Sequence, residues 1–486
     1  MDSPTATPAS SQLQRTLSLF DAVGIVVCAM IGSGIFIVSS QAATELQSGS
    51  LLMLAWLISG IMTIIGSLAF AELAAGCPEV GGQYTYIKNA WGELPAFLYG
   101  WTLSFVIKSG SIAAVSLGFA KFATILLPGL LPAMSGESLQ VGPVSLSSQK
   151  LVAVLLILAL TYINILGVKI VARIQNVVTI TNWLALVLII VAGAAFSLNP
   201  ATWMQNMTPL PMPGDWNLLL IGTLGIALVG PLFALDGWNN VTFIAAEIKN
   251  PVKNLPLSLI LGAGLTTLLY LLVNGVYLAG LSLSAIMGAK NGVVGAALMH
   301  SAMGPFGERL ITAIILVAAF GCVNSMILSG SRAIYALAKD GHFFKQAAQL
   351  GQRSNVPENA LWLQAAWSIF LVLSRAFSDL LDYMVFASLL FYGLTVAGLF
   401  VLRKRNTNQE PTYRVGGYPL LPLVYCLLCA WIMGSLLYLR PVSAGISLGI
   451  VLLGIPLYFV LTKRQSAFSN YLRGRDQAAE TEPEAL

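Results

Sequence analysis

The chain has little charge. Only 9% of its 486 residues are Asp, Glu, Lys or Arg, whereas soluble domains carry about 25%. Hydrophobic residues make up 57% of the chain, so the composition predicts a protein that crosses a membrane several times. The sequence has no dense basic run and no polar domain, and we therefore predict no nucleic-acid partner.

Residues that carry enzyme or metal chemistry are also scarce. The two histidines, His300 and His342, lie in predicted loops. The five cysteines lie in or beside apolar segments and indicate no disulfide framework. Motifs of zinc proteases, phosphate-binding loops and activated nucleophiles do not occur. The sequence thus predicts no enzyme, no metal site and no cofactor.

What the chain does contain is twelve apolar stretches, each near the roughly 20 residues that a helix needs to cross a bilayer. Their approximate bounds are 19–45, 51–76, 92–128, 149–167, 171–197, 218–247, 255–283, 307–339, 358–375, 378–402, 417–439 and 443–462. We predict an all-α membrane protein with polar tails at 1–16 and 465–486. The first tail has no apolar signal-peptide core, so the first segment is expected to direct insertion.

Basic residues are distributed unevenly over the predicted loops. If both termini are cytoplasmic, eighteen of the 25 Lys and Arg residues lie inside, five lie outside, and Lys108 and Lys121 remain within the third segment. Cytoplasmic loops are enriched in Lys and Arg, so this orientation is favoured. We predict a multi-pass protein of the cell (inner) membrane with both tails cytoplasmic.

The first segment is interrupted at its middle by Gly32, Ser33 and Gly34. Glycine destabilises a helix interior by roughly 1 kcal/mol relative to alanine, and a break within hydrocarbon frees backbone groups that must find polar partners. We expect a discontinuous helix whose second half directs the N–H groups of Ser33, Gly34 and Ile35 at a carboxylate. The Ile31 carbonyl would be left as an acceptor. The alternative is a small-residue face for close helix packing.

The sixth segment has a matching interruption at 230–237, a Gly-Pro pair followed by an Asp-Gly pair. Paired breaks at corresponding positions of two halves indicate a transporter binding site and a five-plus-five inverted repeat. This break would free the carbonyls of Phe233, Ala234 and Leu235 to accept from an ammonium group. Such a site recognises an amino acid and leaves its side chain free to vary. Phe233 is also placed to cover a ligand, with ordinary packing as the alternative.

Two ionisable side chains lie at membrane depth. Asp236 is either the N-cap of the second half-helix, through the N–H of Trp238 or Asn239, or a site of proton coupling. Lys108 must find water, a carbonyl or an acid, and its role is open between structure and transport.

Four stretches of the sequence resemble one known family. They are IGSGIF at 31–36, AELAAGCPEVGGQYTY at 71–86, FALDGWNNVTFIAAEIKNPVKNLP at 233–256 and SGSRAIYALAKDGHFF at 329–344. They are similar to motifs of the amino acid-polyamine-organocation superfamily, and within it of the L-amino acid transporter branch. The resemblance extends over about residues 17–405.

The resemblance implies a ten-helix inverted-repeat core at 17–405, with discontinuous helices one and six, and two peripheral helices at 406–464. It implies that the main chain at 31–35 and 233–235 binds the carboxylate and ammonium of an amino acid. Helices three, eight and ten would line the side-chain pocket, through Ile107, Gly110, Ser111, Asn324 and Tyr392.

The chain departs from the family pattern at two places. Many relatives carry a Lys in the fifth helix where this chain has Asn182, which leaves the coupling mode open. The outer loop at about 129–148 has no cysteine, so we predict no disulfide-linked heavy subunit. Coupling or gating is assigned to Phe233, Asp236, Asn182 and Lys108.

The expected function is sodium-independent exchange of neutral L-amino acids by alternating access. A proton-coupled or cationic amino acid or polyamine permease that uses Asp236 is the first alternative. A membrane receptor for amino acids is the second, although the sequence has no sizeable soluble output module.

Overall fold

The fold is almost entirely helical. A computed structural model of the chain describes residues 17–480 except 77–81, 127–138, 142–143, 209–216, 340, 342, 352–355, 375–376 and 406–412. The polar N-terminal tail predicted at 1–16 and the end of the C-terminal tail at 481–486 lie outside the described residues.

The elements up to the middle of the chain follow in order. The helices are α1 (Leu19–Met30), α2 (Gly34–Leu46), α3 (Gly49–Gly76), α4 (Gln83–Trp91), α5 (Glu93–Thr102), α6 (Ser109–Leu126), α7 (Ser148–Ile165), α8 (Val168–Phe196) and α9 (Pro200–Met207). A π-helix, π1 (Leu103–Lys108), joins α5 to α6. Two short strands, β1 (Leu139–Val141) and β2 (Val144–Leu146), pair antiparallel before α7.

The remaining elements begin with the broken sixth segment. The α-helices are α10 (Leu218–Ala227), α11 (Val229–Ala234), α12 (Pro251–Gly280), α13 (Leu283–Met287), α14 (Val294–Lys339), α15 (Glu358–Ser374), α16 (Phe377–Arg405), α17 (Leu420–Leu439) and α18 (Pro441–Glu480). The 3₁₀ helices are η1 (Trp238–Glu247), η2 (Lys290–Gly292) and η3 (Lys345–Ala348).

Polar side chains determine where several helices begin. At α1 the Ser18 hydroxyl accepts from the N–H of Asp21 at 3.3 Å, and the Asp21 carboxylate accepts from the N–H of Ser18 at 2.8 Å, which forms a capping box. The side chains of Ser147, Asn199 and Asn217 accept from first-turn N–H groups and so cap α7, α9 and α10. These caps supply partners for N–H groups that a helix cannot satisfy by itself.

Eight described helices are long and apolar enough to cross a membrane, or ten if two bent pairs each form one span. The bent pairs are α1 with α2, at 45°, and the end of α8 with α9, at 108°. The sixth predicted segment falls short because it is broken, and the ninth because α15 has only 17 residues. The all-α multi-pass membrane fold is confirmed, and the count of twelve stays a prediction.

Helix packing has the symmetry that an inverted repeat requires. Helix α3 packs against α12, and α6 packs against α14, so the second and third segments meet their own counterparts in the other half. Helix α14 packs along α8 while α6 packs along α16, which is the same contact with the halves exchanged. Helix α17 lies against α10 and α16, and α18 against α16 and α5, outside the ten-helix core. An inverted repeat of this type holds its two broken helices at the centre.

Candidate functional site

The breaks of the first and sixth segments touch each other. A Cβ atom added to Gly34 would lie 2.9 Å from the Cβ of Ala234, and one added to Gly237 would lie 2.7 Å from the carbonyl oxygen of Ala29. Neither position has room for a larger residue without movement. Both interpretations of the first break therefore apply, because Gly34 lies where the helix is interrupted and also permits close packing against Ala234.

The first break presents backbone donors. Ile31 has φ −76° and ψ 93°, which ends α1, and α2 begins at Gly34 without a side-chain cap from Ser33. Among the described residues, the N–H groups of Ser33, Gly34 and Ile35 reach no backbone carbonyl. The start of α2 therefore offers uncompensated donors and a positive dipole end, the arrangement that binds anions.

Side chains from other helices hold the carbonyls of the first break. Tyr270 of α12 donates to the carbonyl of Met30 at 2.9 Å, and the Asn182 amide of α8 donates to the carbonyl of Ile31 at 2.6 Å. The Ile31 carbonyl, expected as an acceptor, thus already accepts one hydrogen bond from a side chain. Asn182 lies beside the break as an uncharged donor, and its own Oδ1 is buried without a hydrogen bond in the described structure.

The second break has a different backbone course. Asp236 donates its N–H to the carbonyl of Phe233 at 3.2 Å, and Gly237 then takes a positive φ of 96° before η1 begins. The left-handed conformation favours glycine. The Phe233 carbonyl is thus engaged within its own turn, whereas those of Ala234 and Leu235 accept no backbone N–H among the described residues.

The Asp236 side chain does not cap η1, so that interpretation is wrong. Gly237 is the N-cap and receives no side-chain hydrogen bond. The Asp236 carboxylate instead accepts from the hydroxyl of Tyr392 at 2.5 Å. The Tyr392 ring packs 5.4 Å from the Trp238 ring and 6.0 Å from the Phe70 ring, centroid to centroid. An aromatic cluster on α3, η1 and α16 therefore positions this hydroxyl.

The third segment widens into π1 where it passes the second break. A π turn frees backbone carbonyls, and other groups satisfy them here. The Ser109 hydroxyl donates to the carbonyl of Ser104 at 2.7 Å. The carbonyl of Phe105 accepts from Trp367 of α15 at 2.6 Å and from Tyr383 of α16 at 3.2 Å. Three helices thus maintain π1.

Lys108 ends π1 and faces the second break. Its ammonium group donates to Oδ1 of Asn240 at 3.4 Å. Lys108 and Asp236 line one cavity of about 20 Å³. The other residues that line it are Gln83, Tyr99, Leu103, Ile107, Asn239, Asn240, Ser388 and Tyr392.

A second cavity, of about 30 Å³, is also lined by Asp236, and by Phe233. The other residues that line it are Met62, Thr63, Leu232, Trp238, Met384, Val385, Ser388, Leu389, Tyr392 and Tyr425. Since one water molecule needs about 10–15 Å³, each cavity has room for one or two waters. Phe233 is 8% exposed. The structure therefore shows the site closed.

No residue of the first break, 31–35, lines either cavity, and neither do Ala234 and Leu235. Three residues expected in the side-chain pocket, Gly110, Ser111 and Asn324, also line neither. Gly110 and Ser111 pack against Met384 of α16, and the Ser111 hydroxyl lies 3.5 Å from its sulfur. Asn324 is fully buried and accepts from Asn164 of α7 at 2.8 Å, behind the site. They lie elsewhere because the third and eighth helices direct other positions toward the breaks.

Several cavity residues were missed by sequence reasoning. Ser388 lines both cavities but is a single small polar residue in an apolar run, which gives no signal. Cys322 of α14 lines neither cavity, but its sulfur lies 3.2 Å from the Cβ position of Gly32, and nothing in its spacing indicated this. The Asn239-Asn240 pair was a usable signal, because two adjacent amides are unusual at membrane depth.

Buried polar contacts link helices on the predicted cytoplasmic side. Glu72 of α3 accepts from Arg403 of α16 through two nitrogens at 2.6 Å each, and from the N–H of Val415 at 2.6 Å. Nearer the breaks, Gln83 donates to Thr395 at 3.0 Å and accepts from Asn239 at 2.9 Å.

The predicted outer side is more open. A cavity of about 430 Å³ lies over the face of α2, between Ile37, Lys121 and Asn291. Arg440, between α17 and α18, pairs with Asp382 of α16 and with Glu45 of α2. The outer end of α2 is therefore tied to the peripheral helices.

Comparison with known proteins gives a consistent result. The sequence model described as amino acid permease matches residues 17–462. The human "Large neutral amino acids transporter small subunit 2" is 29% identical over 463 residues, which cover 92% of this chain and 80% of that protein. The "Serine/threonine exchanger SteT" of Bacillus subtilis (strain 168) is 29% identical over 458 residues, 94% of this chain and 98% of that protein. The mouse "b(0,+)-type amino acid transporter 1" is 27% identical over 432 residues, 87% of this chain and 83% of that protein.

Proposed function

Because the chain belongs to the amino acid permease family, we propose that it exchanges neutral L-amino acids across the membrane by alternating access and without sodium. Relatives named as a neutral amino acid transporter and as a serine/threonine exchanger support the substrate class and the exchange mode. The family membership supports a transporter rather than an enzyme or a receptor.

The observation that carries the proposal is the pair of backbone breaks in contact. In the proposed complex, the N–H groups of Ser33, Gly34 and Ile35 bind the substrate carboxylate. The carbonyls of Ala234 and Leu235 accept from its ammonium group. All amino acids carry these two groups, so their recognition by the main chain leaves selectivity to the surrounding side chains.

The substrate side chain is proposed to enter the region of the two cavities. Phe233, Ile107 and Tyr392 supply apolar surface there, and Ser388 a small polar group. Both cavities are far smaller than typical ligand sites of 300–1,000 Å³. Binding therefore requires Phe233 or the half-helices to move, as a gate does.

The charge of the site supports a neutral substrate. Asp236 accepts a hydrogen bond from the Tyr392 hydroxyl and shares a cavity with Lys108, so one acidic and one basic side chain line that cavity together. The proton-coupled or cationic permease remains the second candidate, since a carboxylate does lie at the second break. Asp236, Lys108, Asn182 and Phe233 stay proposed as the residues of coupling or gating.

We further propose that the protein resides in the cell (inner) membrane with both termini cytoplasmic. The cavity of about 430 Å³ would then face outward, with the Gln83 and Glu72 contacts closing the cytoplasmic side. We propose that it works without a disulfide-linked heavy subunit and needs no cofactor.

Uptake into proteoliposomes tests these proposals. Purified protein alone is reconstituted, and labelled neutral, cationic and acidic amino acids are offered with and without internal amino acid, sodium or a pH gradient. Uptake of neutral amino acids that needs internal substrate and ignores sodium is expected. Uptake that needs no internal substrate and collapses without the pH gradient would establish the permease alternative. Absence of uptake of every amino acid would reject the transport proposal.

A further inference from the structure

Two side chains of opposite charge share the smaller cavity beside the second break. Lys108 comes from the third helix and Asp236 from the sixth. Each has its own neutral partner, Asn240 for the ammonium group and Tyr392 for the carboxylate. Both side chains line the cavity that is proposed to receive the substrate side chain. The hydrogen-bond partners named for them are uncharged.

Among the residues that the structure describes, no other side chain lining that cavity is an Asp, Glu, Lys or Arg. Tyr99 and Tyr392, which also line it, are phenols, and both are neutral at pH 7 in water. The charge balance of the described site thus depends on Lys108 and Asp236 alone. A lone charge at membrane depth is costly, so each makes the other tolerable.

We infer that Lys108 sets the charge class of the substrate by occupying, with its own ammonium group, the role that a cationic substrate side chain would otherwise take opposite Asp236. With Lys108 present, a second cation in the cavity is repelled at low dielectric, and neutral side chains are accepted. Without its charge, Asp236 attracts the cationic side chain of a substrate such as lysine or ornithine. This inference rests on the proposed transport of amino acids and deepens it.

The same balance predicts the effect of removing the acid. In Asp236→Asn the positive charge of Lys108 remains, so cationic amino acids stay excluded and amino acids with an acidic side chain gain access. In the double variant Lys108→Met with Asp236→Asn, both charges are absent and the preference for neutral amino acids returns. Two substitutions that each change the charge class should therefore cancel when combined, which a merely structural role of Lys108 does not predict.

The experiment compares exchange of labelled leucine and labelled lysine in proteoliposomes. Lys108→Met is expected to raise the lysine-to-leucine ratio at least tenfold over the unmodified protein. Lys121→Met, on the same helix and outside this cavity, is the matched control and should leave the ratio unchanged. Lys108→Arg keeps the charge and should also leave it unchanged.

A ratio that stays unchanged in Lys108→Met would overturn the inference. If that variant does not transport, stabilisation in detergent by millimolar lysine, measured as a rise in Tm, is the second readout; a rise supports the inference and its absence overturns it. Failure of the unmodified protein to exchange leucine or any other neutral amino acid would instead reject the proposed function.

Discussion

The two backbone breaks occupy equivalent places in the repeat but are built differently. The first is short, its carbonyls are held by Asn182 and Tyr270, and it presents N–H groups. The second passes through a left-handed Gly237 into a 3₁₀ helix and carries the ionisable Asp236, held by Tyr392. We propose that the first break recognises the groups that all amino acids share and that the second distinguishes among their side chains. Substitutions can separate these two roles.

The largest effect is expected at the contact between the breaks. Gly34→Ala places a methyl group 2.9 Å from the Cβ of Ala234, which forces α2 away from α11. We expect amino acid exchange to fall about 100-fold, equivalent to about 2.8 kcal/mol, when measured as initial rates in proteoliposomes. Gly24→Ala is the matched control, because a Cβ there meets no atom within 4 Å.

The double variant Gly34→Ala with Ala234→Gly restores the total number of methyl groups at this contact. It should recover a large part of the lost exchange. A Gly34→Ala variant that exchanges at the normal rate would contradict the proposed proximity of the two breaks.

The second break should respond through its backbone conformation. Gly237→Ala imposes a left-handed conformation that costs roughly 1–2 kcal/mol in a residue with a Cβ, and its methyl group would approach the carbonyl of Ala29. We expect exchange to fall about 10- to 30-fold and the Tm of the purified protein to decrease. Gly264→Ala in α12, where a Cβ meets nothing within 4 Å, should change neither quantity.

Removing the hydroxyl from Tyr392 tests the support of Asp236. A hydrogen bond to a charged group contributes about 1.5–3 kcal/mol, and part of it is recovered by water in the adjacent cavities. We expect Tyr392→Phe to lower exchange about tenfold and to change the relative affinities of different amino acids. Tyr438→Phe, at an exposed position of α17, serves as the control. If the affinities of all amino acids fell equally, the selective role of the second break would be wrong.

The smallest effect is expected at the first break. Asn182→Ala removes one neutral hydrogen bond to the Ile31 carbonyl, which contributes about 1 kcal/mol. We expect roughly a fivefold loss of affinity, equal for all neutral amino acids, in competition measurements of exchange. Asn291→Ala, whose amide bonds Thr124 on the predicted outer side, is the comparison. A change in selectivity rather than in overall affinity would count against the general role of the first break.

Sequence patterns were sufficient for the breaks and for the membrane fold. Glycine and proline within apolar runs have direct backbone consequences, so Gly32, Gly34 and Gly237 can be located from the amino-acid sequence alone. Pairings between distant side chains cannot be found in this way. Asp236 and Tyr392 lie 156 positions apart, and the sequence suggested only a local cap or proton coupling for the acid, not this partner.

The eighth helix shows the same limit. Asn324 was expected in the pocket, yet it bonds Asn164 across 160 positions, and Cys322 lies beside the first break instead. A long buried helix is apolar on most of its faces, so its sequence pattern has no clear polar side. The packing of all surrounding helices then decides which face meets a given neighbour.

The π-helix in the third segment changes which residues share one face of that helix. A π turn is geometrically an insertion of one residue, and each residue rotates an α-helix by about 100°. Residues after Lys108 are therefore out of phase with those before Leu103, and a single helical wheel drawn through 93–126 assigns one half incorrectly. Deleting one residue within π1 would bring the two halves into phase and rotate Gly110 and Ser111 away from α16. In this helix, alignments with relatives should be expected to contain a gap of one residue wherever the π turn is absent.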